Sequence, residues 1–488
     1  MLPQDEIFKK YELTVGIECH VQLNTNTKLF SGVDNDERGQ SPNSVVSPID
    51  YALPGMLPVL NRRAIDLAIL AGKAMNSEIA TVSRFDRKHY FYPDLPKGYQ
   101  ISQMYQPIIG PGFVDVPMDD GSFFKVRIHH AHLEEDAGKL THVSNYSLVD
   151  LNRAGTPLIE IVSEPDIHSP SQAKAYAMEL YRLMTYAGVT RGDLYHGNMR
   201  FDVNVSVAPV GSEKLGTRSE MKNLNSFRAV ERAVDYEFKR QVGILERGDE
   251  VIQETRGWDE SKQRTFTQRS KENAQDYRYM PDPDVPPIVL DEDYIKEVQT
   301  KIPNLPPFYR EEWRSIGLDS SVINSLLLSK DSAITFQRIK EKVNNPEISK
   351  RIANWFLLST EEASGGVDGQ AADIKSVSDD YFVSLSNLVG EGKLSSTAAK
   401  EVLFSMIKIP EDPETIAKRL NLIQVNDESE LLEIVDQVLS DPASQQAVID
   451  LKNGVDKVMG FLVGQVMKKS GGKANPSKVQ ELIRRRIA

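Results

Sequence analysis

Alternation of apolar and polar residues along the first part of the chain predicts β-strands. In YELTVGIECHVQL (residues 11–23), every second residue from Leu13 to Leu23 is apolar, so the intervening residues share the opposite face of a strand. The same alternation occurs in three further segments, 123–134, 157–163 and 201–207. Helical periodicity occurs in the segments 61–76, 171–187 and 226–246. Because these elements follow no regular β-α-β order, we predict an α+β fold with a mixed or antiparallel sheet.

Proline-rich segments predict two domain boundaries. In MPDPDVPPIVL, the prolines from Pro281 to Pro287 can continue neither a helix nor a central strand, and the pattern beyond them is almost entirely helical. A second break occurs at IPEDPET, residues 409–415. We therefore predict three domains: the α+β domain at 1–292, an all-α helical domain at 293–410 and a small helical tail domain at 411–488. Within the helical domain, STEEASGGVDGQ (359–370) predicts a loop between helices.

The composition of the 488-residue chain, with 40% hydrophobic and 26% charged residues, is typical of a soluble globular protein. There is no run of about 18 apolar residues that would span a bilayer, and the first residues resemble neither a signal peptide nor a transit peptide. We therefore expect a cytoplasmic protein with no membrane partner. Cys19 is the only cysteine, which excludes an internal disulfide framework and a cysteine-based zinc site.

The overall net charge of −12 hides a basic C-terminal segment. Residues 451–488 contain nine Lys and Arg residues against two acidic residues, a net charge of +7. Such a segment attracts phosphate groups, but lysine-rich helix ends are also common on solvated surfaces. Charge alone therefore leaves nucleic-acid binding and a solvated surface as alternatives.

Acidic and histidine residues on the polar faces of two predicted strands suggest a cation site. Glu18 and His20 point the same way from the strand at 11–23, and Asp202 occupies the polar face of RFDVNVSV. A carboxylate and an imidazole at this spacing can bind one divalent cation together. The alternative is an ordinary solvated strand face.

Two further segments supply candidate ligands. Glu160 lies among apolar residues in PLIEIVS, where a carboxylate needs a partner, either a cation or a buried salt bridge. IHHAHLEEDAGKLTH contains four of the eight histidines beside Glu134 and Glu135, although it also fits a polar strand that ends in a turn. The combined set is rich in oxygen and poor in nitrogen, which suits Mg²⁺ better than Zn²⁺ and predicts phosphoryl chemistry. Its members are Glu18, His20, Glu135, Glu160 and Asp202.

No familiar nucleotide-binding loop accompanies this set. The sequence lacks a P-loop, a complete G-x-G-x-x-G and a kinase H-R-D motif. Residues 83–103 nevertheless combine five aromatic rings with basic residues, a composition that suits either a wall for phosphates and a stacked base or the edge of the core. Those proposed to bind nucleotide are Arg84, Lys88 and Lys97. There is no G-x-S-x-G elbow, and Cys19 has apolar parity, so any ammonia that the chemistry requires must come from another subunit.

Long blocks of the sequence resemble the B subunits of aspartyl/glutamyl-tRNA amidotransferases over essentially the whole chain. The blocks are VGIECHVQLNTNTKLFSG, YALPGMLPVLNRRAIDLA, FDRKHYFYPDLPKGYQISQ, HLEEDAGK, SLVDLNRAGTPLIEIVSEPDI, KNLNSFRAVERAVDYE, QETRGWDE, DYRYMPDPDVPP and MGFLVGQVMKKSGGKANPSKV. The resemblance implies an ATP-dependent kinase and transamidase. It would act with a glutaminase A subunit and a C subunit on misacylated tRNA, and its first domain is called the cradle.

The resemblance also implies roles for individual residues. Mg²⁺ ligands of the family fall on His20, Glu135 and Glu160, with Glu18 and Asp202 as ligands of a second cation, and the choice between Glu134 and Glu135 stays open. Many members carry a zinc site with a C-P-x-C motif where this chain has SPID (47–50), so no zinc is expected here. The basic tail becomes a tRNA contact through phosphate and shape, and its proposed binding residues are Lys468, Lys469 and Lys473.

Two rival functions remain open at this point. A metal-dependent phosphohydrolase would use the same acids without partner subunits or a basic tail. A tRNA-binding scaffold without catalysis would keep the tail but gives no reason for the acids on polar strand faces. The sequence leaves open whether tRNA(Gln), tRNA(Asn) or both are substrates, and it does not identify the residues of an ammonia channel.

Overall fold

A computed structural model describes residue 6 and residues 9–270, 276–365, 376–424, 428–471 and 474–487. These residues form two compact units, unit 1 up to Tyr309 and unit 2 from Arg310 onward. The strands, all in unit 1, are β1 (Tyr11–Gln22), β2 (Val82–Ser83), β3 (Asp86–His89), β4 (Tyr99–Ser102), β5 (Gly112–Pro117), β6 (Phe123–Glu135), β7 (Lys139–Val143), β8 (Tyr146–Asp150), β9 (Pro157–Ser163), β10 (Met199–Pro209), β11 (Ser219–Leu224), β12 (Glu254–Asp259), β13 (Arg264–Ser270), β14 (Met280–Pro281) and β15 (Ile288–Val289).

Helices follow the strands along the chain and make up unit 2. Those that begin in unit 1 are α1 (Arg62–Ala74), α2 (Pro170–Tyr186), α3 (Phe227–Leu245), α4 (Glu292–Gln299) and α5 (Pro306–Arg314). Those of unit 2 are α6 (Ser320–Leu326), α7 (Lys330–Val343), α8 (Pro346–Gly365), α9 (Asp379–Gly390), α10 (Ser396–Lys408), α11 (Pro413–Arg419), α12 (Glu428–Leu439), α13 (Gln445–Lys452), α14 (Met459–Lys469) and α15 (Pro476–Ile487). The predicted α+β class is confirmed.

An eight-stranded sheet in the order β13-β12-β11-β10-β1-β9-β6-β5 forms the centre of unit 1. Its neighbouring strands are antiparallel except β11 and β12, so the sheet is mixed. The apolar residues of β1 from Leu13 to Val21 are at most 1% exposed and belong to one core with the inner faces of α1, α2 and α3. The opposite face of β1 is therefore left for polar side chains.

The predicted strands and helices of unit 1 agree with the structure to within a few residues. Helix α2 begins behind Ser169, whose side chain accepts a hydrogen bond from the backbone of Gln172, and α3 begins in the same way behind Ser226. Helix α4 buries Ile295 and Val298 in the core of unit 1. The division of the chain into three domains stays a prediction.

One sequence-based expectation in unit 2 is wrong in part. Residues 359–365, which were predicted to begin a loop, continue helix α8 as far as Gly365. Residues 366–370 of the same segment lie outside the described residues. Ser and Glu at helical spacing extend α8 here, and only the paired glycines at 365 and 366 interrupt the helical pattern.

A buried ion pair holds the turn where many relatives of the resembled family have zinc ligands. Lys28 is fully buried, and its Nζ lies 3.1 Å from the Asp50 carboxylate and 2.8 Å from the carbonyl oxygen of Val45. Asp50 also accepts a hydrogen bond from the backbone of Ser47, and the Ser47 hydroxyl accepts one from the backbone of Asp50. The turn is thus closed by charge and hydrogen bonds among its own residues.

We predict that Lys28→Met lowers the free energy of unfolding by about 3 to 5 kcal/mol, because it leaves the Asp50 carboxylate buried without its cation. Urea denaturation followed by circular dichroism measures this loss. The control Lys296→Met removes an exposed ion pair with Glu292 and should change stability by no more than about 0.5 kcal/mol. A loss for Lys28→Met that matches the control would contradict the prediction.

Candidate active site

The register of three strands brings acids and histidines together on the polar face of the central sheet. His20 on β1 lies opposite Glu160 on β9, and Glu160 lies opposite His132 on β6. Glu134 follows His132 by two residues and therefore shares its face. These four residues, His20, His132, Glu134 and Glu160, are called the acid–histidine cluster below.

The side chains of the acid–histidine cluster are close and largely shielded from solvent. His20 Nε2 lies 3.6 Å from Glu134 Oε1 and 3.5 Å from Glu160 Oε2. His132 Nε2 lies 3.6 Å from Glu134 Oε2 and 3.4 Å from Glu160 Oε2. Each histidine thus faces both carboxylates.

The electrostatics of the cluster favour positive charge between the carboxylates. Burial opposes protonation of His20, but the hydrogen bond and charge of Glu160, with the charge of Glu134, outweigh it and raise the His20 pKa to about 9. Burial likewise opposes protonation of His132, yet Glu134 and Glu160 raise its pKa to about 9. Burial alone would raise the pKa of Glu160, but the two histidines lower it well below its usual value.

The donor set and spacing fit a divalent cation. Two adjacent ligands on an octahedral Mg²⁺ lie about 3 Å apart, because each is about 2.1 Å from the ion. The ligand atoms of His20, Glu134 and Glu160 all lie within 4.8 Å of one another, and no other group of three such residues within the described ranges does so. Small side-chain rotations would bring one nitrogen and two carboxylate oxygens to one ion.

Glu135 takes a different role from the one that the resemblance suggested. As the neighbour of Glu134 on a strand, it points to the other face, where its carboxylate forms an ion pair with Lys97 and accepts a hydrogen bond of 3.0 Å from the backbone of Ile101. Glu134, in contrast, lies within reach of His20 and His132. The geometry therefore favours Glu134 over Glu135 as a cation ligand.

Glu18 and Asp202 lie directly opposite each other on β1 and β10, next to the acid–histidine cluster. Asn204 donates a hydrogen bond of 3.0 Å to Glu18, and Lys222 lies 3.2 Å from Asp202. Burial raises the pKa of Glu18, and the charges of Glu160 and Glu220 add to this effect. The role of Glu18 and Asp202 as ligands of a second cation stays a prediction.

A cleft of about 750 Å³ opens beside the cluster, and Lys88 reaches into it from β3. Burial opposes the charge of Lys88, but Glu134, Tyr279 and Glu160 outweigh it and raise its pKa. Tyr105, Tyr279, Arg127, His129 and His130 also line the cleft. The cleft thus combines aromatic and basic side chains next to a cation site, which suits a polyphosphate with a stacked base.

The other two residues proposed to bind nucleotide are placed less favourably. Arg84 is exposed between β2 and β3 and does not line the cleft. Lys97 is directed to Glu135. Of the three, the structure brings Lys88 alone to the acid–histidine cluster.

Sequence reasoning missed two contributors to the site. His132 was noted only as one of several nearby histidines, although counting alternate positions back from Glu134 places it on the ligand face. Arg87 was also undervalued. It binds Asp282 at 2.9 Å and Asp284 at 2.6 Å and covers the Tyr99 ring, so it ties β3, and with it Lys88, to the proline-rich segment.

In the tail, Lys468 and Lys469 are exposed at the end of α14. Lys473 lies outside the described residues. Arg484 and Arg486 form ion pairs with Asp456 (3.1 Å) and Asp436 (2.7 Å), so these two arginines are partly neutralised within the tail. No helix in the described part of the chain is long and apolar enough to cross a bilayer.

Comparison with known proteins identifies close relatives. Residues 13–296 match the family model of the GatB/GatE catalytic domain, and residues 335–487 match that of the GatB domain. The chain is 42% identical over 98% of its length to the B subunit of the aspartyl/glutamyl-tRNA(Asn/Gln) amidotransferase of Carboxydothermus hydrogenoformans, of which it covers 99%. The proteins of the same name from Persephonella marina and a Thermoanaerobacter species are 44% and 43% identical over 97% and 98% of the chain, which covers 99% and 100% of them.

We predict that Glu134→Gln weakens Mn²⁺ binding at least about tenfold, because it replaces a charged ligand of the cluster with a neutral one. Mn²⁺ is used as a paramagnetic substitute for Mg²⁺, and electron paramagnetic resonance measures the free ion. The matched variant Glu135→Gln should retain binding within about threefold, since its carboxylate faces Lys97. The reverse order of effects would assign the ligand role to Glu135.

Proposed function

The chain belongs to the GatB/GatE family of tRNA amidotransferase B subunits, and from this premise we propose that its cradle uses ATP to activate the side-chain carboxylate of Glu-tRNA(Gln), Asp-tRNA(Asn) or both. The observation that carries the proposal is the acid–histidine cluster beside a cleft into which Lys88 projects. The cradle here means residues 1–292, the predicted first domain.

The reaction has two steps. An oxygen of the side-chain carboxylate attacks the γ-phosphorus of ATP, the bond to the β,γ-bridging oxygen breaks, and ADP leaves with the electron pair. Ammonia then attacks the carbonyl carbon of the acyl phosphate, phosphate leaves with its electron pair, and the nitrogen loses a proton to become the amide. The product is Gln-tRNA(Gln) or Asn-tRNA(Asn), and the enzyme is a ligase that forms a carbon–nitrogen bond with glutamine as amido donor.

The residues of the site fit the first step. His20, Glu134 and Glu160 would hold Mg²⁺, which offsets the charge that develops on the phosphate oxygens. Lys88 is held near Glu134 and Glu160, where its ammonium can bind a terminal phosphate of ATP. The buried position of the cluster strengthens each of these charge interactions, because water screens them less.

The second step needs ammonia that this chain is not equipped to release. Cys19 is fully buried, and burial raises its thiol pKa well above the usual value, so it is no nucleophile. The relatives are each named as one lettered component of an amidotransferase, which implies an assembly of several chains. We propose that a glutaminase A subunit supplies ammonia and that a small C subunit completes the complex.

The tail supplies affinity for tRNA in this proposal. Lys468 and Lys469 present two exposed ammonium groups at the end of α14, where the negative end of the helix dipole also favours cations. Contacts with phosphates fix the position of an RNA without reading its sequence. Charged groups in the tail would therefore hold the tRNA while its aminoacyl end reaches the cradle.

The test is ATP cleavage by the complex of the three subunits with Mg²⁺, comparing Glu-tRNA(Gln) with uncharged tRNA(Gln). We expect phosphate release that requires the charged tRNA and falls at least about 100-fold in His20→Ala, because the cation loses its nitrogen ligand. The control His142→Ala alters an exposed histidine on β7 and should retain activity.

Each rival function has its own outcome in this experiment. Phosphate release that is indifferent to tRNA charging would indicate a phosphohydrolase. No phosphate release from the wild-type complex, combined with tight tRNA binding, would indicate a scaffold. Loss of folding rather than activity in Glu160→Gln would mean that the cluster is a structural salt bridge.

For the tail we predict that the double variant Lys468→Ala/Lys469→Ala weakens tRNA binding and reduces the slope of log Kd against log salt by about 2, one for each lost phosphate contact. The control Lys296→Ala changes an exposed lysine of unit 1 and should leave the slope unchanged. Filter binding at several KCl concentrations measures both. An unchanged slope in the double variant would remove these lysines from the tRNA interface.

A further inference from the structure

A second cavity lies on the polar sheet face, next to the nucleotide cleft. It has a volume of about 270 Å³ and is called the Gly16 pocket here. Its polar lining is contributed by Thr14, Glu18, Ser163, Asn204, Ser206 and Arg218. Glu18 and Val162 line both the Gly16 pocket and the cleft, so the two cavities share a border.

The pocket exists because β9 leaves the sheet beside β1. The pairing of β9 with β1 ends at Val162, and the Ser163 hydroxyl then accepts a hydrogen bond of 2.9 Å from the backbone of Ile17. The chain rejoins β1 only at Ile167, whose carbonyl oxygen accepts a hydrogen bond of 2.8 Å from the backbone of Val15. Pro165, between these two contacts, forms one wall of the pocket.

Gly16 forms the floor, and the fold does not require a glycine there. A Cβ atom at this position would lie 3.9 Å from Pro165 Cα and from the Ser163 carbonyl oxygen, which is ordinary contact. A glycine inside a strand weakens the strand and often marks a place where a ligand approaches the backbone. The missing side chain therefore leaves space that packing alone does not demand.

A loop from β10 closes the other side. Leu215, Gly216 and Arg218 line the pocket from this loop, opposite Pro165. Gly216 lies so close to β10 that a Cβ atom would come within 2.0 Å of the Val207 carbonyl oxygen. Here glycine is required for the loop to lie on the strand, in contrast to Gly16.

We propose that the Gly16 pocket receives the aminoacyl group of the charged tRNA, with the Glu18 carboxylate binding its α-ammonium group. This assignment rests on the proposed function above and names the place of its acceptor substrate. The ester-linked amino acid carries one cation, the α-ammonium, and Glu18 is a carboxylate at the border of the pocket that is already oriented by Asn204.

Size and charge separate this occupant from ATP. Pockets for drug-sized ligands measure about 300 to 1,000 Å³, so the cleft of about 750 Å³ suits a nucleotide and the pocket of about 270 Å³ suits an amino-acid group. Lys88, Arg127 and the acid–histidine cluster, which suit phosphates, lie on the side of the cleft. The acceptor carboxylate must meet the γ-phosphate, and the shared border at Glu18 places the two substrates side by side.

The first test fills the pocket with Gly16→Val in the complex of three subunits. We expect the KM for Glu-tRNA(Gln) to rise about tenfold or more with the KM for ATP unchanged, because the valine methyl groups occupy the space of the aminoacyl group. The matched control Gly32→Val adds the same side chain where no atom lies within 4 Å and should change neither constant. A rise in the KM for ATP would place the nucleotide in the pocket, and no rise in either constant would leave the pocket without a substrate, so each of these results overturns the proposal.

The second test measures binding without catalysis, so that it stands apart from the kinase step. The probes are 3′-amino-3′-deoxyadenosine acylated with glutamate through its α-carboxyl group, and the same compound without the α-amino group. Removing the α-amino group should weaken binding to the wild-type complex about tenfold but have little effect on Glu18→Gln. Equal losses in both proteins would overturn the role of Glu18.

These readouts separate the inference from the proposed function. If the wild-type complex fails to couple ATP cleavage to charged tRNA, the proposed function is wrong, whereas the probe experiment still reports what occupies the pocket. If valine at position 16 prevents folding, Gly16→Ala is used, since its single methyl group meets only contacts at 3.9 Å. Thermal melting confirms folding in either case.

Discussion

Strand β1 pairs with β9 on one side and β10 on the other, and the register of these pairings determines the site. It places His20 opposite Glu160 and Glu18 opposite Asp202. Because side chains alternate between faces, a slip of one residue in either pairing would turn these groups into the core and the apolar residues of β1 out of it. The buried apolar face, with Val15, Cys19 and Val21 at 0% exposure, therefore fixes the position of the acids on the other face.

Burial then gives the acids their chemistry. A carboxylate that is shielded from water needs a cation or hydrogen-bond donors, and the pKa values of about 9 for His20 and His132 show how strongly Glu134 and Glu160 draw positive charge. A divalent cation meets the same demand with more charge and leaves coordination positions for phosphate oxygens. The same interaction that would make the cluster costly as a purely structural feature thus makes it suitable for phosphoryl chemistry.

Local periodicity was sufficient to predict the strands, the helices and the polar faces that carry Glu18, His20, Glu160 and Asp202. It also contained the answer for Glu134, because that residue alternates with His132, but the relation between β6 and β9 was needed to show that this face meets Glu160. The contacts that the sequence did not reveal join distant segments. Lys28 meets Asp50 inside a turn, and no local pattern encodes that pair.

The two cavities on the sheet face differ in charge for reasons that follow from position along β1. Near His20, two carboxylates face two histidines, so the cluster favours a multivalent cation. One step along the strand, Asp202 is paired with Lys222, and Glu18 is held by a neutral amide, Asn204. A single carboxylate oriented by an amide suits a monovalent ammonium group better than a metal ion, which wants several anionic ligands. The same alternating strand can therefore present a phosphate-activating site and an amino-acid site within one pairing register, and the short distance between them is what an in-line transfer from nucleotide to carboxylate requires.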